Sequence, residues 1–69
     1  MAKDVNGVEL SMGDSVSVVE DLKVKGAGAT LKRGMVIKNI RLTNKDSEIE
    51  AKVDKFGMIV LKTEFLKKV

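Results

Sequence analysis

From Glu48 to Val53 the chain alternates without a fault, with Ile49, Ala51 and Val53 on one side and Glu48, Glu50 and Lys52 on the other. A two-residue period turns one face to a core and the other to water, so this segment is a strand. Ser15 to Glu20 carries the same signature, with Val16 and Val18 on one face and Ser15 and Ser17 on the other. Met58 to Lys62 supplies a third strand with Ile59 and Leu61 inward, and Asp54-Lys55-Phe56-Gly57 reverses the chain to make a hairpin with 48–53. Val5 and Val8 flank Asn6-Gly7, the dipeptide best suited to a type I′ turn, which predicts an opening hairpin. Ser11-Met12-Gly13-Asp14 predicts a second turn, with Gly13 left-handed and Asp14 bonded to nearby backbone.

Two segments break the pattern. Leu22 and Val24 alternate with Lys23 and Lys25 and then give way to Gly26-Ala27-Gly28-Ala29, which reads as a short strand end entering a loop. Met35 to Leu42 is the longest β-like run, but Met35 and Ile37 have odd parity while Ile40 and Leu42 have even parity. One straight strand cannot bury both pairs, so a β-bulge is predicted at Lys38-Asn39. Thr43 to Ser47 is a polar turn, and Thr63 is placed to cap a single helical turn through Glu64, Phe65 and Leu66 that presses Phe65 or Leu66 against an open end. Five to six short strands, no long amphipathic helix and too few residues for two packed sheets predict an all-β fold, a small SH3-like barrel, as a single domain over 1–69.

Sixty-nine residues with 43% hydrophobic content supply one core. The chain contains neither cysteine nor histidine, which removes disulfides, thiolate metal sites and most zinc chemistry. No metal and no cofactor is expected, and packing alone must hold the fold. No apolar run approaches the ~20 residues that cross a bilayer, and the first residues lack a secretory pattern, so the expectation is a cytoplasmic monomer with no membrane partner.

Charge adds a location. Between Leu22 and Arg41 lie six cations (Lys23, Lys25, Lys32, Arg33, Lys38 and Arg41) and no carboxylate, leaving seven cations against ten acids elsewhere, which is +6 against −3. Such a stretch suits nonspecific contact with a nucleic-acid backbone or an acidic protein, although exposed lysines also serve simply to protect strand edges. Phe56 and Phe65 are the only aromatic residues, with Phe56 the candidate for an exposed ring, so base stacking has little support. Gly26-Ala27-Gly28 lacks the Gly-Lys-Ser/Thr of a phosphate-binding loop and the third glycine of a dinucleotide fingerprint. Carboxylates fall mostly in turns or on outward positions, Glu48 and Glu50 included, with no histidine to complete a general-base or metal set. No catalytic residue is assigned, and the chain is expected not to be an enzyme.

Gly13-Asp14-Ser15-Val16, Asp21-Leu22-Lys23-Val24-Lys25-Gly26, Leu31-Lys32-Arg33-Gly34, Lys38-Asn39-Ile40-Arg41-Leu42 and Leu61-Lys62-Thr63-Glu64-Phe65-Leu66-Lys67-Lys68 together resemble the PhnA family, named for alkylphosphonate utilisation. The resemblance covers nearly the whole chain and implies an SH3-like fold in a bacterial cytoplasmic protein. Many such relatives place a cysteine-rich zinc ribbon before this domain; with no cysteine here, a zinc role does not carry over. The family name reflects association with phosphonate genes and is not an activity. Two functions follow: a binding module for a polyanion or acidic partner through the basic 22–41 stretch, or an accessory protein or enzyme in alkylphosphonate metabolism.

Overall fold

The computed structural model describes residues 1–24, 28–53 and 56–69. Its strands are β1 (Val16–Val18), β2 (Leu22–Val24), β3 (Ala29–Leu31), β4 (Val36–Ile37), β5 (Arg41–Leu42), β6 (Glu48–Val53), β7 (Gly57–Lys62) and β8 (Leu66–Lys68), with a 3-10 turn over Thr63–Phe65. They form three antiparallel sheets in the orders β4-β1-β8, β2-β3 and β5-β6-β7. The protein is all-β, as its alternation predicts, but it has eight strands where five or six were expected, and its sheets are not linked into one closed ladder. Two of the extra strands, β3 and β8, carry too few inward residues to show a period. Ala29, expected in a loop, opens β3 opposite Val24, and β8 contributes only Leu66 to the interior. The expected glycine loop falls largely on Gly26 and Ala27, outside the described residues.

One aliphatic core serves all three sheets. Leu10, Val16, Val18, Leu31, Ile40, Ile49 and Leu66 are fully buried, and Ile37, Ala51, Val53, Ile59 and Leu61 pack with them. β6 buries Ile49, Ala51 and Val53, and β7 buries Ile59 and Leu61, in the register Ile49↔Leu61 and Ala51↔Ile59. Each fully buried side chain of this size contributes about 1.5–3 kcal/mol. Phe56 is half-buried against the core, so it is not the exposed ring that its turn position suggested.

The parity conflict in 35–42 is resolved by ending a strand. Asn39 takes a φ of 58°, the only described non-glycine residue with positive φ. Ile40 N–H donates to the Asp14 carbonyl (3.0 Å) and Gly13 N–H to the Ile40 carbonyl (2.8 Å). The predicted position of the break is right, but its nature is not a bulge within one ladder. The chain leaves β1's sheet after Ile37 and enters β6's sheet at Arg41, which lets Ile37 and Ile40 both point inward.

Both ends of the chain depart from expectation, and Asp4 explains the first. The opening turn is centred on Val5-Asn6 and closed by Gly7 N–H to the Asp4 carbonyl (3.0 Å); only Gly7 is left-handed, with φ 81°, so it is not a type I′ turn on Asn6-Gly7. The Asp4 carboxylate sets this shape: Oδ1 accepts from the N–H groups of Asn6 (2.9 Å) and Val8 (2.8 Å), and Oδ2 accepts from Lys68 N–H (2.8 Å) across the molecule. At the other end Thr63 lies inside the 3-10 turn and is buried rather than capping it, and Leu66 starts β8, pairing with Val18. Gly13, in contrast, is left-handed as predicted (φ 87°), and Asp14 Oδ2 accepts from Ser11 N–H (2.8 Å).

Burial pushes the Asp4 pKa up, but the bonds from Lys68, Val8 and Asn6, with the charge of Lys67, outweigh it and hold the carboxyl below its ordinary value. A pKa depressed in the folded state stabilises the fold above the ordinary carboxylate range of about 4, and this contribution is lost as pH falls through the folded value. Asp4→Asn keeps one acceptor and should cost about 1–2 kcal/mol, Asp4→Ala about 2–4 kcal/mol, at pH 7. Urea unfolding at pH 7 and pH 3 checks both, because the gap between wild type and Asp4→Asn should narrow in acid. At the strand break, Asn39→Val should cost about 1–3 kcal/mol while Asn39→Gly stays near wild type, measured by thermal unfolding.

Candidate functional site

The fold scatters the basic stretch. Lys32 and Arg33 lie in the β3–β4 turn beside Asp21, whose Oδ1 accepts from Arg33 N–H (2.8 Å) and whose Oδ2 stands 3.9 Å from Lys32 Nζ. Asp21 precedes the cation run by one residue, so the sequence boundary hid this counter-charge. Arg41 sits directly across from Glu50 on the neighbouring strand. Lys38 shares a small groove with Lys52, beside Met35, Val36, Ile37 and Val53. Lys25 lies outside the described residues. Among the described cations of the stretch, Lys23 alone borders a second groove.

That groove, about 540 Å³, runs between β2 and β7, with Phe65 also in its lining. Leu22, Lys23 and Val24 form one wall, and Met58, Ile59, Val60, Leu61 and Lys62 form the other. A groove on a sheet face is lined by every second residue, since side chains alternate. Here five consecutive residues of β7 take part, so the wall is the edge of the strand. β7 is the outermost strand of its sheet, and β2 pairs only with β3. The lining is mostly apolar, Met58 and Val60 are about half exposed (53% and 55%), and among the described residues its charged members are Lys23 and Lys62, with no carboxylate.

Sequence reasoning chose Lys23 and missed Met58, Val60, Lys62 and Phe65. A signal was present: β6 places Glu48, Glu50 and Lys52 outward, whereas the outward positions 58 and 60 of β7 are Met and Val. Apolar residues on both faces of an exposed strand ask for a partner. Phe65, one of the two residues expected to press against an open end, is half-buried in the lining of the groove.

The family model described as "YjdM: PhnA domain" matches residues 2–69. The chain belongs to this family. It is 52% identical over 68 residues to Protein YjdM of Escherichia coli (strain K12), covering 99% of this chain and 61% of that protein. Protein YjdM of Streptococcus mutans is 52% identical over 65 residues, covering 94% of this chain and 59% of the relative, and the YjdM homolog of Haemophilus influenzae is 47% identical over 68 residues, 99% and 52%. The chain therefore spans between about half and three-fifths of the YjdM proteins it matches. The resemblance to the PhnA family seen in its motifs is correct.

For this YjdM-family domain, the cation-run boundary gives a direct check. Asp21→Ala should cost less than about 1 kcal/mol in thermal unfolding, because its ion pair and hydrogen bond are exposed, while raising the affinity for a polyanionic resin at low salt.

Proposed function

We propose that this domain is a non-catalytic binding module for an acidic protein segment, held in the groove between β2 and β7. The observation that carries it is the composition of that groove: apolar side chains along both walls, Lys23 and Lys62 as the charged residues among those described, and Phe65 in its lining. An acidic segment with apolar side chains would bury the latter and pair with the lysines. A nucleic-acid backbone would instead call for dense cations without counter-charges, yet Lys32 has Asp21 within 3.9 Å and Arg41 stands opposite Glu50. We infer further that the three sheets form an SH3-like barrel in a cytoplasmic protein. The pairing of the first and last strands and the single core support the barrel, and no described helix is long and apolar enough to cross a membrane.

The non-catalytic assignment rests on the residues. Among those described, no three His, Cys, Asp or Glu side chains gather as a metal site. Asp4 and Asp14 are spent on backbone N–H groups, Asp21 on Arg33 N–H, and Asp46 on the amino terminus (3.1 Å). Among the described residues no group supports the family's phosphonate association.

Fluorescence anisotropy with a labelled ten-residue peptide of repeated Val-Val-Glu-Glu, which carries both residue types on each face of a strand, tests the proposal. Binding should weaken with salt and fall about tenfold in Lys23→Glu/Lys62→Glu, with Lys32→Glu/Arg33→Glu unchanged. Tight, salt-dependent DNA or RNA binding that is lost in Lys32→Glu/Arg33→Glu would overturn it. Phosphate release from phosphonoacetate or alkylphosphonates with divalent metals should be absent.

A further inference from the structure

We propose that the partner segment binds as an added β-strand, hydrogen-bonded to the free backbone edge of β7 through the amides and carbonyls of Met58, Val60 and Lys62. This rests on the assignment of the groove to an acidic segment and specifies how that segment is held.

Strand register supplies the argument. In an antiparallel pair, directly opposed residues alternate between those that exchange both backbone hydrogen bonds and those that exchange none. β6 and β7 are aligned so that Glu48 faces Lys62 and Val53 faces Gly57, and one step beyond this ladder Thr63 N–H donates to the Ser47 carbonyl (2.9 Å). Counting back from Thr63 by twos, Leu61, Ile59 and Gly57 bond to β6. Met58, Val60 and Lys62 therefore turn their N–H and C=O groups away from β6, toward the groove. None of the three takes part in the turn and loop hydrogen bonds of the described chain.

Such an edge is a template for another strand, and proteins usually blunt it with charge, proline, a bulge or brevity. β7 uses none of these along Met58-Ile59-Val60-Leu61: it is six residues long, among the longest strands of the fold, apolar on both faces and paired without interruption to β6. Lys62 is its one charge. Strand addition would satisfy the three outward amides and carbonyls, and the charge of Lys62, with Lys23 on the facing strand, selects an acidic chain over a neutral one. Met58, Val60 and Lys62 lie on one face of β7, so specificity then comes from one face of the segment, apolar opposite Met58 and Val60 and carrying a carboxylate opposite Lys62.

Backbone readouts test this apart from the charge-based assignment. In free protein, hydrogen exchange followed by NMR should find the amides of Met58, Val60 and Lys62 open and those of Ile59 and Leu61 protected. Saturation with the valine–glutamate peptide should slow exchange at Met58, Val60 and Lys62 at least about tenfold, leaving Ile59 and Leu61 unchanged. With wild-type protein, peptides N-methylated at alternate amides should separate by parity, one set binding about tenfold more weakly than the other. Val60→Pro, which removes an amide pointing off the sheet, should weaken binding by about tenfold, with Val60→Ala changed by less than about threefold. If the peptide binds and Lys23→Glu/Lys62→Glu abolishes binding, but the three amides gain no protection and both methylated sets bind alike, strand addition is wrong while the acidic-segment assignment stands. No binding at all sinks both. Protection of the three amides that rises with protein concentration in the absence of peptide would give the edge to a second copy of this chain and overturn the proposal.

Discussion

One carboxylate joins the two ends of this fold. Asp4 accepts from Asn6 and Val8 on its own turn and from Lys68, 64 residues away, so the opening loop and the last strand are fixed by one side chain. Val5 N–H reaches the Leu66 carbonyl (2.8 Å) and Val69 N–H the Ser15 carbonyl (3.1 Å) around the same junction. A domain without disulfides or thiolate metal sites has only packing and hydrogen bonds with which to hold its last strand. β8 presents a single inward residue, Leu66, and Asp4 makes up for what that short strand lacks in buried area.

Around this junction the sheets are short, and the longest hairpin, β6–β7, does two things at once. Its inward residues, Ile49, Ala51, Val53, Ile59 and Leu61, complete the core. Its outer edge is left unpaired beside β2, which belongs to another sheet. The groove is where two sheets around one core fail to meet. Ile59 and Leu61 of its β7 wall are core residues, so the proposed recognition surface is positioned by the same packing that stabilises the fold.

Much of this was legible in the sequence. Strict alternation located β1, β6 and β7 with the correct inward residues, because each has two or more buried side chains with period two. The parity clash between Ile37 and Ile40 located the break at Asn39 but not its form: a bulge and a change of sheet both shift parity by one, and only the partners of β4 and β5 tell them apart. β3 and β8 were hidden because their pairing depends on residues far along the chain rather than on their own pattern. The proposed binding surface was less visible still. Charge counting pointed to 22–41, where Asp21 stands beside Lys32 and Glu50 lies opposite Arg41, while Met58 and Val60 were marked only by being apolar where water was expected.

The pairing of β1 with β8 also bears on how the molecule is made. Contacts that span nearly the full chain carry a large loop-closure cost before they return any energy, so topologies of this kind fold slowly for their size. On a ribosome, residues 1–60 can collapse around the β6–β7 aliphatics, but Asp4 has no Lys68 to hold and Val18 no Leu66 until residues 66–68 have emerged. Completion of the fold thus waits on β8, whichever residues precede it out of the exit tunnel.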